Sequence, residues 1–311
     1  MRFRNLLLFM LALPLLSACG KGAESPYTVF RIDKNVYRIE DSNSHNPAGE
    51  QFDVEGKLVH NNNCSDMYLF VGKERALLVD LSNKLTWADN AAEALVSEVK
   101  KLSGRKPLTI SFTHNHNDHM GMLYAFTDEP EVTFALPRTD FGSMLDLFPE
   151  ERTYVYDEGH CFDLGGLEVE TLKVSGHTPG SVVYFVKDRN LAITGDSIGA
   201  GHGVWIFSKA AFEQYIEGFT ALLAYLDESG IDKDKLRIYG GHYWQRDWRK
   251  ELENKELGID YIRDMQELIG LICRGEADYA PSNLDFGLVD TYFSYGTAIV
   301  ASNHSLMEYY K

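Results

Sequence analysis

The order of apolar and polar positions predicts many short strands with a few helices set among them. Residues 27–32 and 36–39 alternate apolar and polar side chains around Asp33-Lys34-Asn35, the pattern of a β-hairpin. A polar, glycine-containing loop follows from 41 to about 63. A second hairpin, 67–71 with 76–80, closes across Gly72-Lys73-Glu74. The period then lengthens: between 87 and 102, Ala91, Ala94, Leu95, Val99 and Leu102 share one helical face, and Thr86 with Asp89 has the spacing of a capping box. The run 107–112 reads as a short buried strand, completing a strand–helix–strand unit. Gly121 and the apolar residues after it are placed to open a helix.

Further strands are predicted at 132–136, 153–156, 167–174, 181–186, 191–194 and 236–239, and helices at 141–148, 212–226 and 247–273. A hairpin of 287–293 with 297–301 ends the chain. Strand groups alternate with helices in two halves, before and after about residue 165, with no repeat visible between them.

A length of 311 residues allows one large domain or two small ones. At 44% hydrophobic and 12% aromatic, the chain can bury a sizeable core and is not a disordered protein. Residues 1–18 stand apart. Arg2 and Arg4 precede an apolar run from Leu6 to Leu16, broken by Pro14, and Ser17-Ala18-Cys19-Gly20 follows. This is a secretory signal, too short for a stable transmembrane span. Its end resembles a bacterial lipobox, which implies that Cys19 is acylated and becomes the new N-terminus. Gly20, with no aspartate there, resembles lipoproteins sorted to the outer membrane. Several acyl chains would anchor durably, at about 0.8 kcal/mol per buried methylene. Residues 19–26 then form a lipidated tether, and 27–311 the working domain.

Removing residues 1–18 takes away Arg2 and Arg4 and leaves 28 basic against 46 acidic side chains, a net of −18. Such a surface repels phosphate backbones and argues against nucleic acid as a partner. With Cys19 acylated, Cys64, Cys161 and Cys273 remain. One disulfide is open to them in an oxidising compartment, with no pairing readable, and none has thiolate-zinc spacing.

The densest chemistry lies in Thr113-His114-Asn115-His116-Asn117-Asp118-His119-Met120-Gly121. Three imidazoles and a carboxylate fall within six residues, at the end of a predicted buried strand, where open α/β sheets place ligands. Neutral imidazole is the commonest biological metal ligand. His114 and His116 alternate with Asn115 and can point one way, while Asp118 and His119 bend toward a second point. Four landmarks accompany the cluster in the sequence: Asp80 at the end of 76–80, His177 in Ser175-Gly176-His177-Thr178-Pro179-Gly180-Ser181, Asp196 after Thr194-Gly195, and His242 after Gly240-Gly241.

His-x-His-x-Asp-His after a buried strand, with these landmarks in this order, resembles the metallo-β-lactamase superfamily over roughly residues 27 to 300. The resemblance implies a four-layer αββα sandwich of two mixed β-sheets flanked by helices, with metals at one edge. It is similar to the glyoxalase II-like branch. That implies one site of His114, His116 and His177, a second of Asp118, His119 and His242, and Asp196 bridging two ions, with Asp118 and Asp196 in the catalytic set. Nitrogen and oxygen donors suit two zinc ions and also iron or manganese. Asp80 is expected to support a ligating histidine or the metal loop through hydrogen bonds. The implied reaction is hydrolysis of a small-molecule ester, thioester, lactone or amide by a metal-bound hydroxide. Broad-spectrum β-lactamases of this fold usually lack a carboxylate at the Asp196 position. Flavodiiron oxidoreductases carry glutamate where this chain has His116. Persulfide dioxygenases share all these residues but use one iron, and a non-catalytic ligand-binding lipoprotein is the other alternative. His202 and Trp205 follow the bridging aspartate and stand as substrate contacts or plain surface loop. Tyr243 and Trp244 stand as pocket wall or core, and Asn61-Asn62-Asn63-Cys64 as functional or a plain turn.

Overall fold

The computed structural model describes residues 25–41, 51–52, 58–60, 64–85, 88–199, 203–249, 252, 256–282 and 289–308. The signal segment, Cys19, most of the tether, Asn61, Asn62, Asn63, Thr86, Trp87 and His202 lie outside the described residues. The first strands are β1 (Tyr27–Asp33), β2 (Val36–Asp41), β3 (Gln51–Phe52), β4 (Leu58–His60), β5 (Met67–Val71) and β6 (Ala76–Val79). Helix α1 (Ala91–Ser103) leads to β7 (Leu108–Ser111), α2 (Asn117–Met120), β8 (Val132–Pro137), α3 (Arg138–Phe141) and β9 (Thr153–Tyr156). The second half runs β10 (Cys161–Asp163), β11 (Glu168–Lys173), β12 (Val182–Val186), β13 (Leu191–Gly195), β14 (Val204–Trp205), α4 (Lys209–Glu228) and β15 (Arg237–Gly240). It ends with α5 (Ile259–Arg274), β16 (Asp278–Pro281), β17 (Thr291–Tyr295), β18 (Ala298–Ser302) and α6 (Ser305–Glu308).

Two large sheets form, one per half: β1-β2-β5-β6-β7-β8-β9 and β10-β11-β12-β13-β15. Both are mixed, with parallel pairing along β6-β7-β8-β9 and between β13 and β15. The strand period of two explains the layers. In β5, Met67 and Leu69 turn outward and join Leu78, Ile110 and Phe134 beneath Leu95 and Val99 of α1. Tyr68 and Phe70 turn inward and meet Phe162, Val169, Tyr184 and Ile193 of the other sheet. The far face of that sheet, Val183, Phe185, Ala192 and Ile238, packs under Phe212, Phe219 and Leu222 of α4 and Ile262 and Met265 of α5. Full burial of each such side chain contributes about 1.5–3 kcal/mol. The layers are therefore α, β, β, α, as expected.

Several boundaries differ from the expectation. Helix α1 begins at Ala91 rather than 87, with Asn90 outside the helix at φ −96° and no side-chain cap. Gly121 does not open a helix. The short α2 ends before it, and its N–H donates to the Ser82 carbonyl. The helix expected at 141–148 is α3 followed by a single 3₁₀ turn, Leu145–Leu147. The long helix expected at 247–273 starts only at Ile259. Gly258, at φ −155° and ψ −149°, is extended and separates it from a 3₁₀ segment, Tyr243–Trp248. The loop after β2 contains the β3–β4 ribbon, and β10, β14 and β16 were not anticipated. The terminal hairpin is β17–β18, extended by β16 on one side and by β14, parallel, on the other. No helix among the described residues is long and apolar enough to cross a membrane. No disulfide joins Cys64, Cys161 and Cys273 among the described residues.

Candidate metal centre

The site stands at the C-terminal ends of the parallel strands of both sheets. Strand β7 delivers His114, and the loop into α2 delivers His116, Asp118 and His119. The second sheet supplies the rest: His177 from the turn before β12, Asp196 after β13, and His242 two residues beyond β15. Two triads result, His114–His116–His177 and Asp118–His119–His242, with His114, His119 and Asp196 a third overlapping group. The Asp196 carboxylate lies between the triads. Its Oδ2 is 3.6 Å from Nε2 of His177 and 3.4 Å from Nε2 of His242, and its Oδ1 is 3.6 Å from Nε2 of His119. All seven side chains named from the sequence therefore come together.

Outer hydrogen bonds set the face each ring presents. Asp80, wholly buried, accepts at Oδ1 from the Thr113 N–H (2.7 Å) and at Oδ2 from the Thr113 hydroxyl (2.8 Å) and from Nδ1 of His119 (2.8 Å). The Thr113 hydroxyl uses its one proton to donate to Asp80, so it accepts from Nδ1 of His114 at 3.0 Å. His177 donates from Nδ1 to the Trp205 carbonyl (2.9 Å), and His242 donates from Nδ1 to the Cys64 carbonyl (2.9 Å). Four rings thus turn Nε2 inward. His116 instead turns Nδ1 inward, 3.1 Å from Nε2 of His114 and 2.9 Å from Nε2 of His177. Asp80 thus hydrogen-bonds both His119 and Thr113 at the start of the loop.

Electrostatics separate the two triads. Burial holds the His114 imidazole far below its usual range, pushes His177 down to about 4, and lowers His116. These three rings are neutral and offer lone pairs. Burial also opposes charge on His119, but Asp80 and Asp196 outweigh it and push its imidazole up to about 10. Burial likewise works against the Asp196 carboxylate, yet His242 and His119 hold it far below its usual range. The fit to cations is direct. Three ring nitrogens converge with room for one proton among them, and Nε2 of His119 and Oδ1 of Asp196 are buried without a hydrogen-bond partner. Buried polar atoms normally find partners, and a metal cation would supply them here.

The family model described as the metallo-beta-lactamase superfamily matches residues 65–257. The chain belongs to the metallo-β-lactamase superfamily. A probable metallo-hydrolase of Bacillus subtilis is 28% identical over 34% of this chain and 56% of its own length. An acyl-coenzyme A thioesterase of Homo sapiens is 24% identical over 62% of this chain and 77% of its own. A hydroxyacylglutathione hydrolase of Ruegeria pomeroyi is 37% identical over 28% of this chain and 32% of its own. The match thus spans little more than half of the Bacillus protein and a third of the Ruegeria one. Among solved structures, a metallo-β-lactamase of Pseudomonas aeruginosa in its mono-zinc form has a TM-score of 0.52 at 17% identity, covering 79% of this chain and 95% of that one. One from Pontibacter korlensis has a TM-score of 0.53 at 15% identity, covering 78% and 99%. These structures share the fold. Together the findings place the chain in the metallo-β-lactamase superfamily and fold, among relatives that bear the names of hydrolases.

The remaining candidates separate within this superfamily scaffold. Tyr243 is buried against Tyr239, with ring centroids 4.6 Å apart, and the guanidinium groups of Arg38 and Arg246 lie over its ring. Trp244 is buried and donates to the same Cys64 carbonyl that His242 uses. The Asn61-to-Cys64 stretch is thus represented among the described residues by Cys64, whose carbonyl aligns His242. Trp205 is half-buried on β14. Phe207, two residues on, places its ring 5.7 Å from that of His177 and 6.3 Å from that of His116. Neither Phe207 nor Thr113 was singled out from the sequence. The two-residue spacing of Trp205 and Phe207 was the available signal for the first.

Proposed function

We propose that this protein is a dinuclear zinc-dependent hydrolase of a small-molecule acyl derivative: an ester, thioester, lactone or amide. The observation that carries the reading is the Asp196 carboxylate standing between two histidine-rich triads, one oxygen toward each of His177 and His119. His114, His116 and His177 would hold one ion, Asp118, His119 and His242 the other, and Asp196 both. When bound, such a pair polarises an acyl oxygen and acidifies water. The chain's own residues do the rest. Asp118 is ionised despite its burial, because His242 holds its carboxyl below the usual range. It orients the attacking water and accepts its proton. The water oxygen joins the acyl carbon, the bond to the leaving group breaks, and the proton passes to the departing sulfur, oxygen or nitrogen. Two of the relatives bear names of thioester-cleaving enzymes, so thioesters head the screen.

Metal quantification on the purified protein, with an activity screen over thioesters, lactones, esters, phosphodiesters and β-lactams, tests this reading. Two zinc ions per chain and acyl hydrolysis are expected. One iron with oxygen consumption would make it a persulfide dioxygenase instead. A carbapenem kcat/KM inside the ordinary enzymatic range of about 10⁴–10⁸ M⁻¹s⁻¹ would show the subfamily reading to be wrong.

Trp205 and Phe207 give the site an aromatic wall on the side of His116 and His177. That wall suits an apolar acyl group. Phe207→Ala is expected to lower kcat/KM for medium-chain or aromatic acyl substrates about 10-fold and to leave acetyl substrates nearly unchanged. Equal losses across an acyl-length series would remove Phe207 from substrate recognition.

The proposed setting is the bacterial envelope, with Cys19 acylated, residues 19–26 as tether and the outer membrane as the destination. Cys19→Ser is expected to release the protein from the membrane fraction or to block its processing. Unchanged fractionation with unchanged labelling by a fatty-acid probe would overturn the anchor.

A further inference from the structure

The two loops that supply the first triad come from different sheets, and one buried aspartate joins them, by its carboxylate on one side and its backbone carbonyl on the other. Asp140, on α3, is 5% exposed. Its Oδ2 accepts from the Thr178 hydroxyl at 2.6 Å and its Oδ1 from the Gly180 N–H at 2.6 Å. Thr178 and Gly180 belong to the turn that begins at His177. On the other side, Nδ2 of Asn115 donates to the Asp140 backbone carbonyl at 3.0 Å. Asn115 lies between His114 and His116. The turn is further closed on itself, since the Thr178 N–H donates to the Ser181 hydroxyl at 3.1 Å. The approach is so close that a Cβ at Gly180 would lie 2.5 Å from Oδ1 of Asp140 and 2.6 Å from its backbone nitrogen.

We infer that Asp140 is a positioning residue for the first triad: it clamps the His177 turn to the His114–His116 loop and so fixes the spacing of three ligands drawn from two sheets. Asp140 touches none of the three rings. It acts on His177 through Thr178 and Gly180, and on the loop through Asn115. The second triad has its own supports, Asp80 for His119 and the Cys64 carbonyl for His242, and none of them involves Asp140. Loss of the clamp therefore weakens one site and spares the other, which a general loss of stability does not do. The inference rests on the metal-ligand reading above.

Cobalt(II) and zinc titrations of the purified protein, followed by visible absorption and metal content, test it in wild type, Asp140→Ala and Thr178→Val. The second variant keeps the carboxylate and removes only one donor, so it decides the matter if the first does not fold. Outer-sphere partners of this kind are worth about 10–100-fold in metal affinity. Asp140→Ala is expected to weaken the His114–His116–His177 site by that order and to leave the Asp118–His119–His242 site unchanged, with Thr178→Val shifting the same site less. Repeating the pair in a His119→Ala background reads the first site alone. Unchanged affinity at that site in both variants, or equal weakening of both sites, overturns the clamp. A wild type that binds one ion, still held in His119→Ala, overturns the two-ion reading alone, because the clamp predicts weaker binding of that ion in both variants; one ion lost in His119→Ala overturns both. A wild type that binds none overturns both.

Discussion

Asp196→Ala is expected to empty both metal positions, whereas His119→Ala should leave close to one ion per chain. Among the described residues, Asp196 is the side chain whose oxygens face both triads. Its removal would take away the negative charge and the oxygens that the proposed pair of dications would share. His119 belongs to the second triad, and its loss leaves His114, His116 and His177 in place. Hydrolysis should fall about 10³-fold or more in either variant, because Lewis-acid stabilisation worth several kcal/mol needs the pair. Folding should survive in both, since three apolar clusters hold the layers without the centre. Metal content per folded monomer, with circular dichroism as control, checks the pair. An Asp196→Ala protein with two tightly held ions and full activity would end the bridged-site reading.

Gly241→Ala is expected to disable the centre as completely with a single methyl group. A Cβ on Gly241 would lie 2.4 Å from Oδ1 of Asp196 and 2.6 Å from Cε1 of His119. Asp80 holds His119 from behind, and the Gly241 backbone is fixed by its N–H bond to the Gly195 carbonyl, so the Asp196 carboxylate is the group that must move. The methyl group would displace the bridging carboxylate, so metal content should drop at both positions and activity by about 10³-fold. The melting temperature of the metal-free protein should change little. A variant that binds two ions with wild-type affinity would show that the backbone here yields. Gly240 next door makes a useful contrast, being a β15 residue paired with Gly195 of β13.

Most of the scaffold was legible in the sequence because its strands are short, buried and bounded by turns. The runs 67–71, 76–80 and 191–194 agree with β5, β6 and β13 to within one residue. The seven ligand candidates were legible for a different reason: imidazoles and carboxylates clustered at strand ends have few uses other than chemistry. What escaped depended on partners distant in the chain. Strand β14 exists only through its pairing with β18, about a hundred residues later, and without β14 nothing marks Phe207 as a neighbour of His177. The orientation of His242 depends on a carbonyl 178 positions away. The break before α5 was local and was overrun because apolar spacing continues through Gly258, an extended residue that no helix accommodates. The expected start of α1 at 87 failed for the converse reason: the Thr86–Asp89 spacing suits a capping box, but Asn90 sits in a non-helical conformation.

Because four of the ligand candidates come from the first sheet and three from the second, occupancy of the centre is linked thermodynamically to the docking of the two halves. An ion that binds only the assembled site adds about 2.7 kcal/mol against separation when it is present at 100 times its dissociation constant. The metal then works as a clasp across the sandwich as well as a reagent. Its loss would loosen the sheets at the edge where the two triads meet while leaving the apolar layers intact. The order of synthesis follows from the same arrangement. His242, the last of the candidate ligands, emerges after β15, so no chain that stops short of it holds the complete set, and the halves must meet before all seven stand together.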